Sequence, residues 1–76
     1  MIPTIDIKET GHKINVLRVI NGLSVRDIQD YLGFSTPQAI YKWQRGECLP
    51  TIDNLVALAK IFHVKLDEII VIKEHI

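Results

Sequence analysis

Apolar residues recur at helical spacing along almost the whole chain, and the breaks in that rhythm are short and polar. Such a pattern leaves little choice but a set of short helices joined by tight turns, and each break carries capping chemistry. Ile7, Gly11, Ile14, Leu17 and Ile20 mark one face of a first helix, which stops near Asn21-Gly22. Ser24 suits the N-cap of a second, with Asp27 as a shorter stand-in for the usual capping-box glutamate. That helix turns Ile28 and Leu32 inward and ends at Gly33, where a left-handed cap is cheap for glycine. Ser35 or Thr36 is then expected to cap a third helix, with Pro37 in its first turn and Gly46 at its end. Thr51 caps a fourth, carrying Ile52, Leu55, Leu58, Ala59 and Phe62. A fifth short helix starts at about Leu66, but the run Ile69-Ile70-Val71-Ile72 fits a strand as well, because β-branched residues favour extended backbone. The expectation is an all-α domain of five helices over residues 1–76, with room for a short C-terminal extended tail.

Composition narrows the function. At 76 residues and 47% hydrophobic, the chain can bury one small core. No apolar run approaches the roughly 20 residues of a membrane span. The start, "MIPTIDIKET", lacks the basic and apolar regions of a signal peptide. Cys48 is the only cysteine, which leaves no internal disulfide and fits a reducing cytoplasm. His12, His63 and His75 have neither metal-ligand spacing nor a triad pattern, so neither a metal, a cofactor nor an enzyme is expected. Acidic and basic residues balance at nine each. A nucleic-acid binder of this composition needs a local basic surface, since phosphate neutralisation supplies much of the affinity.

The third helix stands out. In "GFSTPQAIYKWQRG", Ile40 and Trp43 fall on the inward stripe while Gln38, Lys42 and Arg45 fall opposite. Two helices joined around a glycine, the second with a polar outer face, make a helix-turn-helix. The sequence here resembles the Cro and phage-repressor (Xre-like) helix-turn-helix family. The likeness runs from about Gly11 to Ile70 and rests on Gly11-x-x-Ile14-x-x-Leu17-Arg18, Gly22-Leu23-Ser24, Leu32-Gly33-Phe34-Ser35, Ala39 to Gly46, Leu49-Pro50-Thr51 and Leu66-Asp67-Glu68-Ile69.

The resemblance implies a phage-repressor-like fold and a set of DNA contacts. Gln38 and Lys42 match positions that reach base edges; Gln can bond adenine bidentately and Lys can donate to guanine. Thr36 and Arg45 match neighbours of the DNA backbone. Tyr41 can offer its hydroxyl to a phosphate, and Ala39 can lie against a thymine methyl. The chain also departs from the family. Ser35-Thr36-Pro37 looks like a one-residue insertion before the third helix. Gln29 stands where a small residue is usual, Val25 where a glutamine often meets phosphate, and His63 where glycine usually ends the fourth helix. Gln44 replaces the glutamate that pairs with the first helix's arginine, leaving Arg18 to seek Gln44, Glu47 or phosphate.

The resulting expectation is a sequence-specific DNA-binding transcriptional regulator, a repressor acting on double-stranded DNA as a homodimer. The apolar Ile69, Ile70, Val71, Ile72 and Ile76 supply candidate dimer surface. The rival is an antitoxin-like or other protein-interaction module, in which the polar stripe is an ordinary solvated helix face.

Overall fold

The computed structural model describes residues 2–74. Its elements are β1 (Pro3–Ile5), α1 (Ile7–Ile20), α2 (Val25–Leu32), α3 (Gln38–Gln44), α4 (Ile52–Phe62), a 3₁₀ turn (Leu66–Glu68) and β2 (Ile72–Glu74). The two strands pair antiparallel, with Pro3 opposite Glu74, Thr4 opposite Lys73 and Ile5 opposite Ile72. Among the described residues the fold is therefore mainly helical, with four helices and a two-stranded ribbon, rather than the five helices expected. The fifth helix reduces to one 3₁₀ turn because the chain beyond it commits to extended backbone. Thr10, buried in α1, accepts a hydrogen bond on Oγ1 from the Val71 N–H at 3.0 Å, and the Asp6 N–H donates to the Val71 carbonyl at 2.8 Å. Those bonds engage Val71 with the start of α1 and lead the tail into β2.

The helix boundaries follow local chemistry. Ser24 and Asp27 form a reciprocal capping box: Ser24 Oγ accepts from the Asp27 N–H at 2.9 Å, and the Asp27 carboxylate accepts from the Ser24 N–H at 2.8 Å. The latter bond holds the Asp27 carboxyl below its ordinary range. Thr51 caps α4 by accepting from the Asn54 N–H at 3.3 Å. At the start of α3 the expectation fails. The N-cap is Pro37, whose carbonyl accepts from the Tyr41 N–H, and neither Ser35 nor Thr36 caps the helix through its side chain. The helix begins one residue later than expected, which leaves both hydroxyls too far upstream to reach the first-turn N–H groups.

The core gathers Ile14 and Leu17 from α1, Ile28 from α2, Ile40 and Trp43 from α3, Leu55, Leu58, Ala59 and Phe62 from α4, and Ile69 after the 3₁₀ turn. Three residues expected inside lie outside. Ile7 sits at the first position of α1 beside the ribbon and is exposed, as are Ile20 and Ile52. The inward face of α1 passes instead through Thr10, Gly11, Ile14 and Leu17, because 3.6 residues per turn carries Ile20 off the stripe.

His63 ends α4 with φ 58° and ψ 41°, the only non-glycine residue in the left-handed region among the described residues. Its side chain is exposed, so glycine there would lose no packing. His63→Gly is expected to relieve about 1 kcal/mol of backbone strain and raise the thermal midpoint by about 4–8 °C. A melting curve checks this, and an unchanged or lower midpoint refutes it.

Candidate nucleic-acid interface

The face expected to meet DNA is built on α3, and α3 is held from three sides. Ile40 and Trp43 anchor its inner face in the core, at 1% and 3% exposure. Phe34, in the turn after α2, packs edge-to-face on Trp43 with ring centroids 5.9 Å apart. Gly33 (φ 75°) makes the left-handed turn that redirects the chain, and the Phe34 N–H donates back to the Gln29 carbonyl at 3.0 Å. Gln29, unusual at its position, strengthens that turn: its Nε2 donates to the Phe34 carbonyl at 3.2 Å. Val25 is half-buried against the core rather than directed at a ligand.

The third support is α1. Gly11 meets the end of α3 so closely that a Cβ added there would clash with the Trp43 carbonyl oxygen and lie 2.9 Å from its carbon. Arg18 reaches neither Gln44 nor Glu47. Its Nε and Nη2 donate to Asn15 Oδ1 at 3.3 and 2.8 Å, and its Nη1 donates to the Leu23 carbonyl at 2.7 Å. Gln44 Nε2 donates to the same Asn15 oxygen at 3.2 Å. One amide oxygen thus joins α1 to the end of α3, where the family pattern has an arginine–glutamate pair. Sequence reading missed Asn15 because nothing local marks it; only the approach at Gly11 brings Gln44 within reach.

With α3 fixed, its outer face is defined. Gln38, Tyr41, Lys42 and Arg45 are all exposed and recur at the three- to four-residue spacing of one helix side. Ala39 lies on the flank, half-buried against the core. Thr36 is exposed in the preceding loop. Arg45 is already engaged: its Nε donates to a Glu47 carboxylate oxygen, a contact that pulls the carboxyl below its usual range. The backbone of Lys8 passes against Gly46, where an added Cβ would sit 2.9 Å from Lys8 Cα. Lys8, Lys42 and Arg45 therefore all approach one end of the stripe, where Glu47 offsets part of their charge. Lys8 also escaped sequence reading, although its place three residues before Gly11 puts it on the helix side that meets α3.

The helix-turn-helix family profile matches residues 14–69. The chain belongs to this family, of the Cro/C1 type. Its members are DNA-binding transcription regulators. The matched span takes in α1 from Ile14, both helices of the motif, α4 and the 3₁₀ turn. Among solved structures, the restriction-modification controller protein C.AhdI from Aeromonas hydrophila is similar at a TM-score of 0.74, with 22% identity over 84% of this chain and 96% of that one. The DNA-binding domain of BldD gives a TM-score of 0.71 and 22% identity over 87% of this chain and 94% of that one. The BldD DNA-binding domain of S. venezulae gives the same score and identity over 87% and 97%. These likenesses establish the fold. No curated protein matches the sequence closely enough to count as a relative. Among the described residues, no helix is long and apolar enough to cross a membrane.

Proposed function

We propose that the protein is a sequence-specific transcriptional regulator that lays α3 in the major groove and represses by occupying a promoter. The observation that carries this is the exposed stripe Gln38, Tyr41, Lys42 and Arg45 on a helix whose opposite side is locked by Ile40 and Trp43. A rigidly held helix presenting an amide, a phenol and two cations suits base and phosphate contact together. Thr36, just upstream, is an added backbone contact in this reading, and Ala39 on the flank is a contact for a thymine methyl. C.AhdI's description as a controller protein and BldD's as a DNA-binding domain point the same way.

A homodimer completes the reading, because two subunits double the contacts of a chain with no net charge and set recognition helices about 34 Å apart. Ile72, at 62% exposure, and Ile5 pair across the ribbon and supply apolar surface for it. Ile76, in the same expected surface, lies outside the described residues, as does His75. Sedimentation should show a dimer at tens of micromolar, free or on DNA; a monomer in both states removes the dimer.

Neutral charge and the engaged state of Arg45 favour a second reading, a protein-interaction module that binds DNA weakly or not at all. Selection from a random duplex pool followed by gel shifts at low and moderate salt separates the two. Enrichment of one sequence that persists at moderate salt is the expected result. Failure to shift any duplex at low salt selects the module.

A further inference from the structure

The end of α3 carries an anion where a DNA-binding surface wants none. Gly46 (φ 73°) turns the chain back, the Gly46 N–H donates to the Trp43 carbonyl at 3.1 Å, and the Glu47 N–H donates to the Lys42 carbonyl at 2.9 Å. This cap fixes Glu47 beside the last turn of α3, where its carboxylate accepts from Arg45 Nε and feels the charge of Lys42. Both partners remain about half exposed, at 60% and 48% of their side-chain surface. The pair is therefore open to exchange with an outside anion.

We infer that Glu47 acts as an internal counter-ion that occupies Arg45 in the free protein and limits the backbone part of DNA binding. The inference rests on the DNA-binding reading above. In the free protein the carboxylate holds the place a phosphate takes in the complex. Docking exchanges one for the other, so Arg45 sheds no condensed cation from the DNA beyond what Glu47's own charge cancels. The effect is independent of base sequence, because phosphates are the same everywhere. Its consequence is a protein that holds random DNA loosely and leaves Gln38 and Lys42 to decide where it stays.

Glu47→Gln keeps the shape and the backbone cap while removing the charge. Binding should then tighten about five- to tenfold per subunit near 0.15 M salt, on selected and random duplexes alike. The slope of log K against log salt should steepen by about one per subunit, and the gain should fade towards 1 M salt. Asp67→Asn is the control: it changes net charge equally from the 3₁₀ turn and makes no hydrogen bond or ion pair with α3. Circular dichroism melts confirm that both variants remain folded at the binding temperature. Unchanged or weaker binding by Glu47→Gln overturns the inference, and an equal gain from Asp67→Asn reduces it to net charge and overturns it too. If neither wild type nor variant binds any duplex at low salt, the DNA reading itself falls. Wild-type binding without a gain fails only the role of Glu47.

Discussion

Gly11→Ala should cost the fold about 3 kcal/mol, lowering the thermal midpoint by about 12–24 °C for a domain of this size. Helix propensity alone argues the opposite, since alanine within a helix is favoured over glycine by about 1 kcal/mol. The packing decides the sign. A methyl at this position meets the Trp43 carbonyl oxygen and carbon, and backbone cannot swing aside as a flexible side chain would. The helices α1 and α3 must separate, which also stretches the Asn15–Gln44 bond and disturbs the core around Ile14 and Trp43. Gly33→Ala provides the comparison. There an added Cβ meets nothing within 4 Å and only the left-handed backbone is strained, so about 1 kcal/mol is expected. Chemical or thermal unfolding of the two variants should rank Gly11→Ala far below Gly33→Ala. A stabilised Gly11→Ala would mean that α1 does not approach α3 as described. Because α1 seats α3, any folded fraction of this variant should also bind DNA less tightly.

The same contrast between local and distant causes explains what could be read from the sequence. The capping box at Ser24 and Asp27, the left-handed turn at Gly33 and the Thr51 cap are each decided by residues within one helical turn and were legible, whereas the left-handed turn at His63 was implied by the family resemblance. The inner and outer faces of α3 were legible too, because periodicity separates Ile40 and Trp43 from Gln38, Lys42 and Arg45. The ribbon was legible only in part. Ile69 to Ile72 suggested extended backbone, but Pro3–Ile5 is too short to show alternation, and its pairing needs a strand at the other end of the chain. Asn15, Lys8 and the engaged state of Arg45 depend on where α1 and the Gly46 turn sit in space. Pro37 shows the finer limit. A proline is tolerated both at the N-cap and one residue later, so its presence left the start of α3 uncertain by one position.

That one position matters most for Gln38, the first residue of α3 and the one closest to Ser35-Thr36-Pro37, which the family resemblance marks as a one-residue insertion. Its exposed side chain stands at the N-terminal end of the stripe, the end that reaches base edges when a recognition helix enters the groove. Gln38→Ala should therefore weaken binding to the selected duplex by about 1–3 kcal/mol and leave random DNA nearly unaffected. Arg45→Ala should behave differently. It removes a phosphate partner and leaves Glu47 unneutralised on the DNA face, so binding to both duplexes should fall together, while the salt slope changes little because Glu47 already offsets the counter-ion release of Arg45. Made in the Glu47→Gln background, the same substitution should lose the part of its effect that comes from exposing the carboxylate. Titrations of each variant on selected and random duplexes at three salt concentrations measure all of these quantities. Equal weakening on both duplexes by Gln38→Ala would make Gln38 a backbone contact and place the inserted turn at fault for rotating it off the groove floor. No change from either variant would remove this face of α3 from DNA altogether, and the interaction-module reading would take its place.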